Sequence, residues 1–455
     1  MALFEQHDLA QHTSSAGTKL IHGGLQDLET HSFRSVREAL TEREILLRIA
    51  PHIVWPLEFW LPHARNLRPA WRIRLGLWLY DHLARRDVLP SSRGFRLKKP
   101  GILKPAYRRA FSYADCWVED SRLAVLNAMD AASRGAKIFT RTKVLSARPQ
   151  GKFWQVETEV GAYTARAIVN ATGPWVGDVL NQMLGDKTSH DVRLVKGSHI
   201  ITDRLYPDEQ AFILQNSDKR VVFVIPYERD YSLIGSTESA FDDDPAEVTI
   251  ADDEIEYLCA SVNRYFKRNL TADDVLWTYS GVQPRFDGSK PAQSATRDHV
   301  LELAKLPGSP PVLSVFGGKM TTYRKLAEQA LEALLPALGR KPGKSWTATA
   351  HLPGGDIQDF GEFEKMLRVR NGHLDAANLH RLAYSYGTLT ERFVGYDMGE
   401  DFGGGLHRSE VDYLVKHEWA RTSEDILWRR TKLGLHVPYD TPARLSNYLS
   451  TKVWA

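Results

Sequence analysis

A seventeen-residue stretch near the start of the sequence, Thr13 to Glu29, concentrates residue types that suit contact with a phosphate-bearing molecule. It reads TSSAGTKLIHGGLQDLE and combines glycines and small hydroxyls with Lys19 and His22. Hydroxyls and glycines at this density let a backbone lie directly against phosphate groups. The same composition is typical of plain turns, so the residues alone leave both interpretations open.

Two later stretches place glycines directly after predicted buried strands. The strand that ends near Asn170 runs into ATGPW, and the strand Leu313 to Phe316 runs into Gly317-Gly318-Lys319 with a helix from Thr321. A helix that starts after glycines exposes backbone N–H groups, which favour an anion. The carboxyl ends of these strands are therefore candidate contacts for a cofactor.

The beginning of the sequence lacks a feature that dinucleotide-binding folds share. Such a fold opens with a strand, a G-x-G-x-x-G turn and a helix, followed by a second strand that ends in a ribose-binding acid. Glu5 stands where that acid would be, and no G-x-G-x-x-G with a helical pattern follows anywhere in the chain. We predict that a first βα unit of about 30 residues is missing. Two explanations stay open: an internal start within a longer protein, or a chain that is itself shortened.

Loss of that unit has a structural consequence. The missing strand would lie in the middle of a parallel sheet, so its two neighbours would each have an unpaired backbone edge. The pyrophosphate of a dinucleotide would also lose the N–H groups that anchor it.

Composition and charge exclude several classes of protein. The 455 residues predict two or three domains, and 59 Lys+Arg against 56 Asp+Glu give no electrostatic case for nucleic acid. Two cysteines cannot form a disulfide framework and indicate a reducing, cytoplasmic setting. No apolar run reaches the roughly 18 residues of a membrane span, and no spacing indicates a metal site.

Longer blocks of sequence carry a resemblance to one family. In order they are YADCWVEDSRL, VNATGPWV, VKGSHI, TYSGV, SVFGGKMTTYRKLAE and LWRRTKLGL, beginning at Tyr113, Val169, Val195, Thr278, Ser314 and Leu427. Together with Thr13–Glu29, they resemble FAD-dependent, quinone-linked glycerol-3-phosphate dehydrogenases over essentially the whole chain. The resemblance implies an α/β FAD-binding fold of the glycine/amino-acid-oxidase type, N-terminally incomplete, with a β-rich cap and an all-α C-terminal domain.

The implied domains are discontinuous. The FAD-binding domain is expected at residues 1–60, 117–180 and 296–336, and the substrate or cap domain at 61–116 and 181–295. A helical C-terminal domain is expected at 350–455, with a role in assembly, which implies a homodimer.

The resemblance also implies a reaction and a set of site residues. Hydride would pass from C2 of glycerol 3-phosphate to FAD, giving dihydroxyacetone phosphate, with a quinone as the electron acceptor. His22 and Lys319 are the implied catalytic residues, and Lys319, Thr321 and Arg285 would bind substrate. The implied FAD contacts are Glu5, Thr13, Ser14, Ser15, Thr18, Lys19, His22, Gly23, Lys143, Val144, Ala171, Thr172, Gly173, Trp175, Gly317, Gly318, Lys319, Met320 and Thr321.

Purely structural roles for two of these residues also stay open. His22 could be a core histidine bonded to a nearby carbonyl, and Lys319 could balance charge at a helix start.

The chain departs from the family at its phosphate-binding positions. Gln26 and Asp27 stand where Arg-Tyr is usual, and Gln283 stands where a second Arg is usual. Glutamine cannot offer the charged two-pronged donor that phosphate accepts, and Asp27 adds a negative charge beside a dianion. We expect impaired turnover unless Arg285 compensates. A dehydrogenase for another polyol or polyol phosphate, and a non-catalytic remnant without flavin, are the alternatives.

The stretch Arg68 to Arg86 mixes tryptophans with arginines at helical spacing. This pattern fits either a helix at a membrane interface or a cap-domain helix with solvated arginines. The resemblance makes peripheral contact with the inner face of the cell membrane an expectation, since these enzymes pass electrons to quinone.

Overall fold

The computed structural model describes residues 1–29, 32–65, 67–97, 101–184, 192–286, 299–304 and 309–452. Within them the strands are β1 (Ala2–Phe4), β2 (Leu20–Ile21), β3 (Val54–His63), β4 (Arg93–Arg96), β5 (Arg109–Val118), β6 (Lys137–Phe139), β7 (Val144–Gln150), β8 (Phe153–Thr158), β9 (Gly161–Ala165), β10 (Ile168–Asn170), β11 (Val192–Asp203), β12 (Ala211–Gln215), β13 (Val221–Tyr227), β14 (Tyr231–Gly235), β15 (Ser239–Phe241), β16 (Val275–Phe286), β17 (Val300–Ala304) and β18 (Val312–Phe316).

The helices alternate with these strands in the first three quarters of the chain and replace them in the last quarter. They are α1 (Phe33–Ile49), α2 (Ala70–His82), α3 (Asp120–Ser133), α4 (Val176–Leu184), α5 (Asp252–Tyr265), α6 (Tyr323–Ala337), α7 (Phe360–Arg370), α8 (Ala376–Tyr386), α9 (Arg408–His417) and α10 (Thr441–Ser450).

A large, mostly antiparallel sheet forms the cap. Its order is β15-β11-β14-β13-β12-β3-β5-β2, with β16 paired to β11 and β4 paired to β5. Alternating apolar residues of β12 and β13 pack on α5, where Leu258, Val262 and Tyr265 are buried. The expected β-rich cap is therefore present. The expected domain boundaries at 60/61 and 116/117 fall inside β3 and β5, because these strands cross from one part of the molecule to the other.

The parallel part of the fold is divided into two sheets. β1 pairs with β6, and β10 pairs with β18, which also pairs antiparallel with β17. Among the described strands, none is hydrogen-bonded to both β1 and β10. Each of β1 and β10 therefore has one edge that pairs with no other described strand. A separate antiparallel sheet, β7-β8-β9, contains the expected hairpin.

The C-terminal region packs helices around one apolar core that it shares with the preceding domain. Leu382, Tyr386, Val411 and Leu414 join Val54, Cys116 and Leu126 in a single cluster. The expected all-α C-terminal domain is confirmed.

The described residues contain neither a membrane-spanning helix nor a metal-binding cluster. No helix there is both long and apolar enough to cross a lipid bilayer. The same part of the chain contains no group of three or more His, Cys, Asp or Glu side chains placed to hold a metal ion.

Candidate flavin and substrate site

Two parallel neighbours, β10 and β18, end at the same edge and deliver glycines there. Gly173 follows β10 with φ 59°, and Gly317 and Gly318 follow β18 with φ 68° and 111°. A Cβ added at Gly173 would meet nothing within 4 Å, so its backbone faces open space. Residues 171 and 172 are exposed as well. Ligands of such folds bind at the carboxyl ends of parallel strands, so this edge is the candidate site.

The hydroxyl-rich segment lies across β16 and β11. Thr13 Oγ1 donates to the carbonyl of Val282 at 2.7 Å, and Thr18 Oγ1 lies 3.0 Å from His199 Nε2. Ser15 bonds the carbonyl of His12, and Ser14 is exposed. A polar cleft opens beside this contact and is lined by Gln11, His12, Thr13, Ser15, Tyr279, Ser280 and Gly281 among others. The segment therefore forms one wall of an open groove.

Lys19 is not among the residues that line that groove. Its ammonium is buried, donates to both carboxylate oxygens of Asp120 at 2.8 and 2.9 Å, and donates to the carbonyl of Ser15 at 2.9 Å. Burial lowers the Lys19 pKa to about 8, and Asp120 opposes that shift. The Lys19 side chain thus links the segment to the first turn of α3. Because its ammonium is already bonded, a cofactor would contact Lys19 through the backbone.

Gly23 has a packing role that the sequence did not indicate. Its N–H donates to the Tyr80 hydroxyl at 2.8 Å, and a Cβ here would come within 2.8 Å of Leu40 and Tyr80 atoms. Tyr80 in turn donates to Asp115, which also pairs with Arg43. Because Gly23 has no side chain, α1 and α2 can pack directly against the segment.

His22 and Thr321 lie together. Thr321 Oγ1 accepts from the His22 backbone N–H at 3.1 Å, and the Gly24 N–H donates to His22 Nδ1 at 3.1 Å. Because Nδ1 accepts, a neutral His22 ring carries its proton on Nε2. Met320 and Thr321 begin the short 3-10 turn, Met320–Thr322, that leads into α6. The structure thus brings the two glycine-bearing segments into direct contact.

The two cations expected to bind substrate each contact a carboxylate. Lys319 Nζ lies 2.7 Å from Asp27 Oδ2, and Arg285 donates to Glu238. The side chains of Gln26 and Gln283 are exposed. These are the two glutamines that replace the usual arginines. The positive groups that remain are thus paired within the chain.

The remaining implied cofactor residues lie next to β1, β7 and β10. The Glu5 carboxylate, at the end of β1, accepts the His7 N–H at 2.9 Å, and burial raises its pKa. The rings of His12 and Trp175 touch, with centroids 5.0 Å apart, and so connect the β1 and β10 sides. Lys143 is exposed, its N–H donates to Glu159, and Val144 begins β7 beside the β8 strand.

One residue was overlooked. His199 is buried against Thr18 and stacked on Tyr279 at 4.7 Å between ring centroids. Burial, reinforced by the nearby Lys19 charge, lowers the His199 pKa to about 3, so the ring is neutral at ordinary pH. In the sequence, His199 lies in the block VKGSHI, which carries the family resemblance. No residue of that block was among the implied FAD contacts.

These residues suit parts of both halves of FAD. The open backbone after β10, the left-handed glycines after β18 and the groove beside Thr13 would hold a planar ring system and its chain, and Glu5 would hold the ribose hydroxyls. Asn170 Nδ2 donates to the Val176 carbonyl at 3.0 Å, which fixes the turn at this edge.

Comparison with known proteins identifies the family of the chain. Residues 1–324 match the family model of FAD-dependent oxidoreductases, and residues 345–443 match the C-terminal domain of alpha-glycerophosphate oxidase. The chain is 50% identical to a glycerol-3-phosphate dehydrogenase of Pseudomonas aeruginosa, covering 99% of this chain and 90% of that protein. It is 46% identical to the aerobic glycerol-3-phosphate dehydrogenase of Escherichia coli, with 98% and 92% covered.

A relative with a different name is nearly as similar. The D-erythritol 1-phosphate dehydrogenase of Brucella abortus is 47% identical, with 96% of this chain and 90% of that protein covered.

Among solved structures, the glycerol-3-phosphate dehydrogenase of Bacillus halodurans complexed with FAD matches with a TM-score of 0.73. It is 26% identical and covers 99% of this chain and 88% of that chain. Glycine oxidase of Geobacillus kaustophilus, with 19% identity and a TM-score of 0.54, matches in fold over 77% and 91%. On this evidence the chain belongs to the FAD-dependent oxidoreductase family, in the branch that carries the alpha-glycerophosphate oxidase C-terminal domain.

Proposed function

We propose that this chain oxidises the secondary alcohol of glycerol 3-phosphate, with the hydride from C2 passing to FAD and the hydroxyl proton passing to solvent water. The observation that supports this most is the contact of His22 with Thr321, next to Lys319, at the carboxyl edge of β10 and β18. The family and the relatives at 46–50% identity favour the same chemistry. FAD supplies the electron-accepting ring, and the chain supplies binding and orientation.

Each site residue has a defined task in this proposal. Lys319 attracts the substrate phosphate as a point charge, and the Thr321 hydroxyl holds the His22 backbone in place. His22 acts as a hydrogen-bond donor through Nε2, because its Nδ1 already accepts from Gly24. Arg285 contributes a guanidinium whose charge is shared with Glu238.

A second candidate substrate is D-erythritol 1-phosphate. The Brucella relative favours it, and so do the two glutamines, since a changed set of phosphate donors is one way to change specificity.

Anaerobic mixing of the FAD-loaded protein with each polyol tests both candidates. Glycerol 3-phosphate should bleach the oxidised flavin absorbance, and unphosphorylated glycerol should leave it unchanged. Bleaching by D-erythritol 1-phosphate alone would select the second candidate. A stable flavin spectrum with every polyol phosphate would contradict the proposal.

We infer further that electrons leave to a quinone at a membrane surface that α2 contacts. Trp71, Leu75 and Trp78 lie on one face of α2 and are 63%, 50% and 55% exposed. Arg72 and Arg74 are exposed beside them, and the Arg72 guanidinium lies 5.4 Å from the Trp71 ring centroid. Exposed aromatics flanked by arginines fit the boundary of a bilayer with anionic headgroups.

Sedimentation with phosphatidylglycerol vesicles tests this docking. The paired change Trp71→Ala and Trp78→Ala should reduce the bound fraction several-fold, because the apolar face supplies much of the binding. Tyr439→Ser, at a fully exposed aromatic in the C-terminal region, is the control and should bind normally. Equal binding of all three proteins would remove α2 from the proposal.

Two parts of the proposal rest on the resemblance alone. Reduction of a soluble quinone analogue by the substrate-reduced protein tests the acceptor. Light scattering after size exclusion tests the homodimer.

A further inference from the structure

The ion pair between Lys319 and Asp27 joins two segments that are far apart in sequence. The distance from Lys319 Nζ to Asp27 Oδ2 is 2.7 Å, and the two side chains are 20% and 22% exposed. Lys319 is the cation that the proposed function assigns to the substrate phosphate. A carboxylate of the chain itself therefore lies where a phosphate oxygen would have to approach.

The local backbone fixes the position of Asp27. Gly24 is left-handed, with φ 73°, and begins the 3-10 turn Leu25–Leu28. Its carbonyl accepts the Asp27 N–H at 2.8 Å. A Cβ at Gly24 would come within 2.5 Å of Asp27 Oδ2, so the missing side chain is what leaves room for the carboxylate.

The pair is accessible to water and therefore to a ligand. About a fifth of each side chain is exposed, so both groups can be solvated or bound by a ligand when the pair opens. A phosphate dianion carries more charge than one carboxylate and can displace it, but must first overcome both the existing pair and the repulsion from Asp27.

We propose that Asp27 is a specificity-determining residue that competes with the substrate phosphate for Lys319. Asp27 holds Lys319 in place when no substrate is bound and raises the concentration of phosphorylated polyol needed to occupy the site. This inference rests on the proposed function for the identity of the substrate. The carboxylate of Asp27 and a phosphate would compete for the Lys319 ammonium whether or not the enzyme turns over.

Two readouts on the FAD-loaded full chain test the proposal. In calorimetric titration, Asp27→Asn should bind inorganic phosphate about tenfold more tightly than the unmodified protein, since removing one like charge from a partly wet site is of that order. The KM for glycerol 3-phosphate should fall by a similar factor, and kcat should change less.

Glu29→Gln is the matched control. Glu29 lies two residues away and pairs with Arg68 at 2.8 Å, so the change removes the same charge without touching Lys319. Its phosphate affinity should equal that of the unmodified protein. In a Lys319→Met background, Asp27→Asn should no longer tighten phosphate binding.

Several outcomes overturn the proposal. Equal phosphate affinity in Asp27→Asn and the unmodified protein would do so, as would an equal gain in Glu29→Gln or a gain that persists with Lys319→Met. If phosphate binding changes as expected but no polyol phosphate reduces the flavin, the proposed function fails and the competition at Lys319 stands.

Discussion

Two groups of ion pairs in this molecule differ in burial. At the junction with the C-terminal region, Asp8 accepts from Arg429 Nε at 2.7 Å and from both terminal nitrogens of Arg430 at 2.9 Å. Arg430 and Asp8 are completely buried. At the candidate site, Lys319 and Asp27 are each about a fifth exposed.

The difference in burial predicts a difference in role. A buried charge that loses its partner has no water to replace it, so the junction pairs are required for the folded state. The pair at Lys319 keeps access to water, so its two groups can be solvated or bound by a ligand when it opens. The same chemical pairing serves architecture in one region and ligand competition in the other.

The largest expected effect on stability comes from removing the buried carboxylate at the junction. Asp8→Ala should lower the free energy of unfolding by about 3–5 kcal/mol, because two guanidinium groups lose their shared buried carboxylate. Urea unfolding followed by circular dichroism measures it. Arg85→Ala breaks an exposed pair with Asp87 and should change stability by less than about 0.5 kcal/mol. Comparable losses in both variants would contradict the distinction by burial.

The second effect concerns pH. Burial lowers the pKa of His52 to about 3, below its ordinary value near 6.5. The unfolded chain therefore takes up this proton first, and the stability that His52 contributes above pH 6.5 is lost as pH falls toward 3.

Between pH 6.5 and 5, the loss attributable to His52 should be about 2 kcal/mol. His52→Gln cannot be protonated, so the free energy of unfolding should fall by that much less over the same interval. Urea unfolding at both pH values measures the difference, and His199 contributes equally to both proteins. Parallel pH profiles would show that His52 titrates normally.

The smallest expected effect comes from a variant that adds a positive charge to the candidate site. Gln283 is exposed on β16, two residues before Arg285 and therefore on the same side of the strand. Gln283→Arg should lower the KM for glycerol 3-phosphate about tenfold by offering a two-pronged phosphate donor. Gln150→Arg, an exposed change on β7, adds the same charge elsewhere and should leave the KM unchanged. An equal fall in both would indicate long-range attraction only.

The sequence predicted the segments of this site better than the directions of its side chains. The hydroxyl-rich segment and the two glycine turns lie near one edge of the sheet, as the sequence predicted. Lys19, however, points to Asp120, and Gly23 is required by Tyr80. A local motif states which residues are adjacent, whereas the direction of each side chain depends on partners far away in the chain.

The junction network shows the same limit more strongly. Asp8 and Arg430 are 422 positions apart, and nothing in the spacing of either residue indicates the other. The pairing of Asp27 with Lys319 spans 292 positions. The resemblance implied that Asp27 adds a negative charge beside the substrate phosphate, but not that it contacts Lys319, the lysine proposed to bind that phosphate.

The most direct test of the central claim is anaerobic flavin reduction by glycerol 3-phosphate, followed as a function of substrate concentration. We predict bleaching that half-saturates at about tenfold lower concentration in Asp27→Asn than in the unmodified protein or Glu29→Gln. Half-saturation at the same concentration in all three proteins would contradict the claim that the chain's own carboxylate competes for Lys319.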